Sequence, residues 1–260
     1  MVVDQGRDYA IRVLQRLGLE VEAIPEGSSK TADIRAAHSG DHYLIECKQK
    51  HHDLDEEKRT LEKIVKGEVV LHSETQDGKN SIAKRIYEAA KQIESSADDE
   101  ETFRYIWIEV TGLDKDLRWQ QVVHTFYGAT YATTYQDNTL FTAFYVAKSA
   151  AFRHPSIDGL LLIDRSGLCL LLNEFSPRYE RIKLTALCRQ IGAGVLDPRV
   201  HIREGYAIAL DGDADRSSEK SIEAALTAQM GTKVGLIPMT QYSATSFLPN
   251  KLRHGKGREE

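Results

Sequence analysis

Asp33, Glu46 and Lys48 are the residues of this chain whose types and spacing can do chemistry. Glu46 and Lys48 sit in the run Tyr43-Leu44-Ile45-Glu46-Cys47-Lys48, apolar enough to read as a strand. Side chains alternate along a strand, so Leu44, Glu46 and Lys48 share one face while Tyr43, Ile45 and Cys47 share the other. An upstream run, Asp33 to Ala37, reads as its antiparallel partner around a two-residue turn at Ser39-Gly40. That turn sets a register in which Asp33 lies directly opposite Glu46 and Thr31 opposite Lys48. Directly opposed side chains have Cβ atoms about 4.5–5.5 Å apart, and like charges at that distance repel. Two such carboxylates beside a lysine call for a cation between them, and carboxylate oxygens are the ligands Mg²⁺ prefers.

An acid two residues before a lysine is not rare at this charge content. It recurs at Glu56-Glu57-Lys58 and Asp77-Gly78-Lys79, but neither copy lies in an apolar strand or faces an upstream aspartate. Context separates the hairpin triplet from these decoys.

The elements that must position the triplet are legible on either side. Residues Asp4 to Leu17 carry a helical stripe at Ala10, Val13, Leu14 and Leu17, stopped by Gly18. Val21 to Ile24 is a short strand. After a charged excursion from Lys50 to Asn80, with a helix near Lys58 to Lys66, a second stripe runs through Ile82, Ile86, Ala90 and Ile93. Phe103 to Val110 is a strand. Further on, the pattern predicts a helix over Leu117 to Tyr127 and a strand over Leu140 to Val146. A hairpin of Gly159 to Ile163 with Leu168 to Asn173 comes next, then a strand over Tyr206 to Leu210 and a helix over Glu219 to Met230.

This order, helix, three strands, helix, strand, together with Ala32-Asp33-Ile34 and Tyr43-Leu44-Ile45-Glu46-Cys47-Lys48, resembles the PD-(D/E)XK nucleases, the restriction-endonuclease-like fold. The resemblance covers roughly residues 4–110, with Ala32 where the motif name has proline. It implies an α/β fold: an αβββαβ core with a mixed central sheet flanked by helices, plus a C-terminal α/β elaboration. Residues 1–110 would be the nuclease-like core, and 111–260 a continuation of the sheet and the elaboration, within the same domain. By resemblance, Asp33, Glu46 and the backbone carbonyl of Cys47 ligate Mg²⁺, with Mn²⁺ substituting, and Asp8 of the first helix is a weaker further ligand. Lys48 acts on the attacking water and the developing phosphoryl charge. The implied activity is hydrolysis of phosphodiester bonds, in DNA first, in restriction, phage defence or repair. The alternative is a nuclease-like subunit that binds nucleic acid or a protein partner without cutting, and a homodimer fits either reading.

Lys50, Arg35, Lys84 and Arg85 are the candidate phosphate contacts, each with a plainer reading as an exposed charge. Tyr127, Tyr131 and Tyr135, at helical spacing, read more simply as core than as base-stacking residues. Asp211-Gly212-Asp213-Ala214-Asp215 begins like a calcium loop, but Arg216 stands where the required glycine would be.

Composition bounds the rest. The 260 residues are 41% hydrophobic and 28% charged, an ordinary globular mixture that excludes wholesale disorder. Net charge is −5, so no global positive field draws the chain to nucleic acid and any such surface must be local. Three scattered cysteines, Cys47, Cys169 and Cys188, argue against a disulfide framework or zinc ribbon and fit a cytoplasmic protein. No apolar run is long enough to span a bilayer, so no membrane role is expected.

Overall fold

The computed structural model describes residues 5–25, 31–50, 54–73, 80–96, 99–112, 115–164, 166–237 and 244–247. The first half runs α1 (Gln5–Arg16), β1 (Glu20–Ala23), β2 (Ile34–His38), β3 (Asp41–Lys50), α2 (Leu54–Val65), β4 (Val70–Ser73), α3 (Ser81–Ser96), β5 (Phe103–Val110) and α4 (Lys115–Tyr127). There follow β6 (Thr130–Thr134), β7 (Leu140–Phe144), α5 (Ala150–Arg153), β8 (Gly159–Ile163), β9 (Leu168–Leu172), α6 (Tyr179–Ile182), α7 (Ala186–Ile191) and β10 (Val195–Leu196). The chain continues through α8 (Pro198–Arg203), β11 (Ala207–Ala209), α9 (Glu219–Met230), β12 (Val234–Ile237) and β13 (Ala244–Phe247).

Seven strands form the main sheet in the order β1-β2-β3-β5-β8-β9-β10. It is mixed: β3, β5 and β8 are parallel neighbours, while β1, β2 and β3 are joined antiparallel and β8–β9 is an antiparallel hairpin. A four-stranded sheet, β11-β7-β6-β12, and a β13-β4 ribbon stand beside it. Three strands of the main sheet, β8, β9 and β10, come from beyond residue 110.

Alternation in the strands builds a core on each face of the main sheet. Tyr43 and Ile45 of β3 and Phe103, Tyr105 and Trp107 of β5 bury against Ala10 and Leu14 of α1, with α6 and α7 completing that layer. Leu44 of β3 and Ile106, Ile108 and Val110 of β5 bury on the opposite face, under Ile82, Ile86, Ala90 and Ile93 of α3 and Val122 and Phe126 of α4. Each large aliphatic or aromatic side chain withdrawn in this way stabilises the fold by about 1.5–3 kcal/mol. The third cluster joins Ala132, Phe141 and Val234 of the smaller sheet to Ile222 and Leu226 of α9.

Two polar knots tie the second half down. Asp158 opens β8 with its carboxylate fully buried, accepting from the Arg104 amide at 2.8 Å and from Arg178 Nε at 2.9 Å. The other knot is the calcium-loop lookalike, where Arg216 explains why no ion is needed. Its guanidinium donates to the carbonyls of Tyr145, Leu210, Asp211, Gly212 and Ala214, at 2.7 to 3.2 Å. The tyrosine triplet resolves differently from helical spacing. Tyr127 ends α4, Tyr131 lies on β6 and Tyr135 follows in a turn, so the three share no helix face.

The Asp158 knot yields a contrast. Arg178→Ala leaves a buried carboxylate without its cation and should cost about 3–5 kcal/mol. Arg181→Ala breaks an exposed pair with Glu101 and a cation–π contact with Phe103, and should cost only about 1 kcal/mol. Urea denaturation of the two variants measures both; equal effects would mean Asp158 is not held by Arg178.

Candidate active site

The β2–β3 hairpin turns through Ser39 and Gly40, both at positive φ (51° and 87°), as a two-residue hairpin loop of matching twist requires. The ladder follows the register that this turn predicts, from His38↔Asp41 to Ile34↔Ile45. It stops one residue short of Asp33. There the Asp33 amide donates to the Ile45 carbonyl at 3.1 Å, and its carbonyl accepts from the Ile24 amide at 2.8 Å. The Asp33 carboxylate accepts from the Cys47 amide at 2.8 Å, taking the place of a ladder partner. Asp33 thus faces Glu46 as part of a backbone mount rather than as one half of a plain cross-strand pair.

Glu46 occupies a core position on the face that α3 covers, and is 1% exposed. Burial pushes its carboxyl up to about 8, and the nearby Asp33 charge adds to the rise while the hydrogen bond from Lys48 opposes it. Lys48 Nζ lies 2.5 Å from Glu46 Oε1, and Glu46 Oε2 has no hydrogen-bond partner. A buried oxygen left in that condition is costly unless a proton or cation reaches it.

α3 supplies the roof. Lys48 Nζ also donates to Gln92 Oε1 at 2.8 Å, and Gln92 Nε2 donates to the Thr31 carbonyl at 3.3 Å. One turn on, Ser96 Oγ accepts from the Ala32 amide at 2.8 Å and donates to the Gln92 carbonyl at 2.7 Å. Gln92 and Ser96 are the residues that sequence reasoning missed. Their one signal is position, on a flank of the α3 apolar stripe, and nothing local says what that flank meets.

The remaining candidates are dispersed. Asp8 rides on α1, whose apolar residues pack on the sheet face opposite Glu46. Among the described residues, no group of three or more His, Cys, Asp or Glu side chains is placed to hold a metal ion. The donor set at the hairpin is therefore two carboxylates, Asp33 and Glu46, plus whatever backbone oxygen lies beside them. The side chain of Cys47 is half-buried against the α1 core, and all three cysteines are free. Arg35 is exposed on β2, in register with Leu44 of β3 and Glu22 of β1. Lys84 pairs loosely with Glu88 at 3.8 Å on the open face of α3, and Arg85 is half-buried one position on. Lys50 ends β3, but its side chain lies outside the described residues, as do the side chain of decoy Glu56 and all of decoy Asp77. No helix of the described residues is long and apolar enough to cross a membrane. No protein-family description, curated protein or solved structure matches the chain.

The raised carboxyl of Glu46 has a definite signature in metal-free protein. A carboxyl with a folded-state value near 8 and an ordinary unfolded value of 4.5 binds its proton more tightly when folded. Its stabilising contribution is complete below the unfolded value and lost as pH rises through the folded one, at up to about 1.4 kcal/mol per pH unit. Denaturation in chelator should show wild-type stability falling between about pH 5 and pH 8, with Glu46→Gln much flatter over that window. Parallel curves for the two proteins would mean that Glu46 is ionised in the fold throughout.

Proposed function

We propose that the protein is a Mg²⁺-dependent nuclease that hydrolyses phosphodiester bonds in DNA, with Mn²⁺ able to replace Mg²⁺. One observation carries the reading: a buried carboxylate with an unpartnered oxygen, Glu46, lies against a second carboxylate and a lysine amine at the end of one hairpin. Oxygen donors of this kind suit a hard divalent cation that keeps several waters and meets substrate phosphate. Asp33, Glu46 and the Cys47 carbonyl would hold that ion. When bound, it would acidify a water and draw charge from the phosphoryl oxygens.

The chain's own residues do the rest. Asp33 is held by the Cys47 amide, so the carboxylate stays aimed while the backbone stays mounted. Lys48 spends two of its three N–H groups on Glu46 and Gln92. The third is left for the attacking water or a phosphoryl oxygen. Lys84 and Arg85, near the start of the same α3 that carries Gln92, would meet backbone phosphates along the approach. The raised carboxyl of Glu46 and the small ligand count favour one second reading, a subunit of the same shape that binds nucleic acid or a protein partner without cutting it.

Cleavage assays on single-stranded, double-stranded and branched DNA and on RNA, with Mg²⁺ or Mn²⁺, separate the two. Lys48→Ala and Asp33→Asn should each lower turnover by about 100-fold or more. Asp33→Asn should fold normally, because an amide oxygen can still accept from Cys47. Glu56→Ala and Asp77→Ala should stay within a few-fold of wild type. Binding without cleavage by wild type would sink the enzyme reading in favour of the subunit.

A further inference from the structure

A second feature lies at the same edge of the same sheet face. Lys48, Ile108 and Leu162 are level across β3, β5 and β8, so Asp164 stands two residues, about 7 Å, further along β8. Leu160 and Leu162 face the α3–α4 core, and Asp164 continues that alternation. Beside it, between the start of α4 and the β8–β9 turn, is a cleft of about 470 Å³ lined by Trp119, Asp116, Gln120, Asp164, Gly167 and Gly194. It lies two to three strand spacings, about 10–14 Å, from the strand that carries Lys48. The carboxyl ends of parallel strands are where α/β sheets place ligands.

The cleft walls are held in place. Asp164 Oδ1 accepts from the Ser166 and Gly167 amides, at 2.6 and 3.0 Å, which closes the turn. Asp164 Oδ2 and Ser166 Oγ accept from Lys115 Nζ at 2.7 and 2.5 Å, tying the first turn of α4 to that hairpin. A Cβ on Gly194 would meet the Leu168 carbonyl at 2.7 Å, so only glycine allows the backbone to pass there. The chemistry is selective. Among the described residues that line the cleft there is no free cation for a phosphate: Lys115, beside it, is committed to Asp164, and Asp116 is itself an anion. Trp119 is a half-buried aromatic wall, and Asp116 and Gln120 are exposed hydrogen-bonding groups lining the same cleft. That set fits a flat, neutral heterocycle bearing amino groups.

We infer that this cleft is a base-selecting subsite, taking an unpaired nucleobase with an exocyclic amino group a short distance along the strand from the phosphate that meets Lys48. The inference rests on the nuclease reading for its second half and names the specificity of that same site. The base stacks on Trp119 and donates its amino protons to Asp116 and Gln120. Thymine and uracil, which have no such amino group, bind less well.

Two readouts test it. Trp119 is one of two tryptophans, and the other, Trp107, is 1% exposed in the core, so fluorescence quenching reports on the cleft. Short single-stranded homo-oligomers of deoxyadenosine or deoxycytidine, added without divalent metal, should quench wild type at concentrations about tenfold below those of deoxythymidine. The rim variant Asp116→Asn with Gln120→Ala, which disturbs no buried group, should lose that preference. Sequencing of cleavage ends should show one position flanking the cut where the same variant flattens base preference, while Trp119→Phe keeps it. Cleavage with unchanged preference and no selective quenching overturns the subsite and spares the nuclease. Selective quenching by a chain that cuts nothing overturns the nuclease reading and supports the cleft as a base site.

Discussion

A carboxyl group in an apolar layer is the constraint around which the hairpin end of this molecule is arranged. Glu46 takes a core position between Leu44 and the end of β3, under α3, where charge is expensive and an unsatisfied oxygen carries a smaller cost of its own. Lys48 answers that cost by reaching back to one oxygen, and Gln92 braces the lysine, while the Asp33 carboxylate, pinned by a backbone amide at its side, adds a like charge that raises it. Removing any one of these leaves a polar group stranded in low dielectric, which is more costly than the loss of a surface contact.

The rest of the main sheet keeps that arrangement in place. β3 has apolar neighbours on both faces, and α1 and α3 clamp it from opposite sides. Its parallel partner β5 is buried along nearly its whole length, and β8 behind it along all of it. The hairpin end has less support on one side. β2 leaves the ladder at Ile34, so on that side the Cys47 amide donates to the Asp33 carboxylate, while on the other side β5 stays paired with β3 through Lys50. Such a gap in a ladder is where groups can reach solvent and substrate without breaking regular pairing.

Much of this was legible from local pattern. Alternation in Tyr43 to Lys48 assigns the faces correctly, because one face is apolar at Tyr43, Ile45 and Cys47 and the other is interrupted by Glu46. Ser39-Gly40 sets the register, and Ile82, Ile86, Ala90 and Ile93 mark the buried stripe of α3. Three kinds of feature were not legible. Gln92 meets Lys48 across 44 residues of chain, and no periodicity encodes such a contact. β6, Thr130–Thr134, is weakly apolar and becomes a strand because β7 and β12 pair with it on either side. The helices α5 to α8 have four to six residues, too few for a stripe, and three of them begin at side-chain caps, Ser149, Thr185 and Asp197. The exit of Asp33 from the ladder belongs with these, since turn chemistry fixes which residues oppose but not where pairing ends.

Arg216 makes the loop that follows β11 independent of dissolved ions. Five carbonyl oxygens converge on its guanidinium, an arrangement in which another loop would gather around a metal. One of them belongs to Tyr145, held at a positive φ of 61°, so the same cation steadies a strained step of the chain leading into α5. A charge tethered covalently cannot diffuse away, has no dissociation constant and competes with nothing in the medium. The loop keeps its shape whatever the ionic composition, as the buried Asp158–Arg178 pair does at the start of β8.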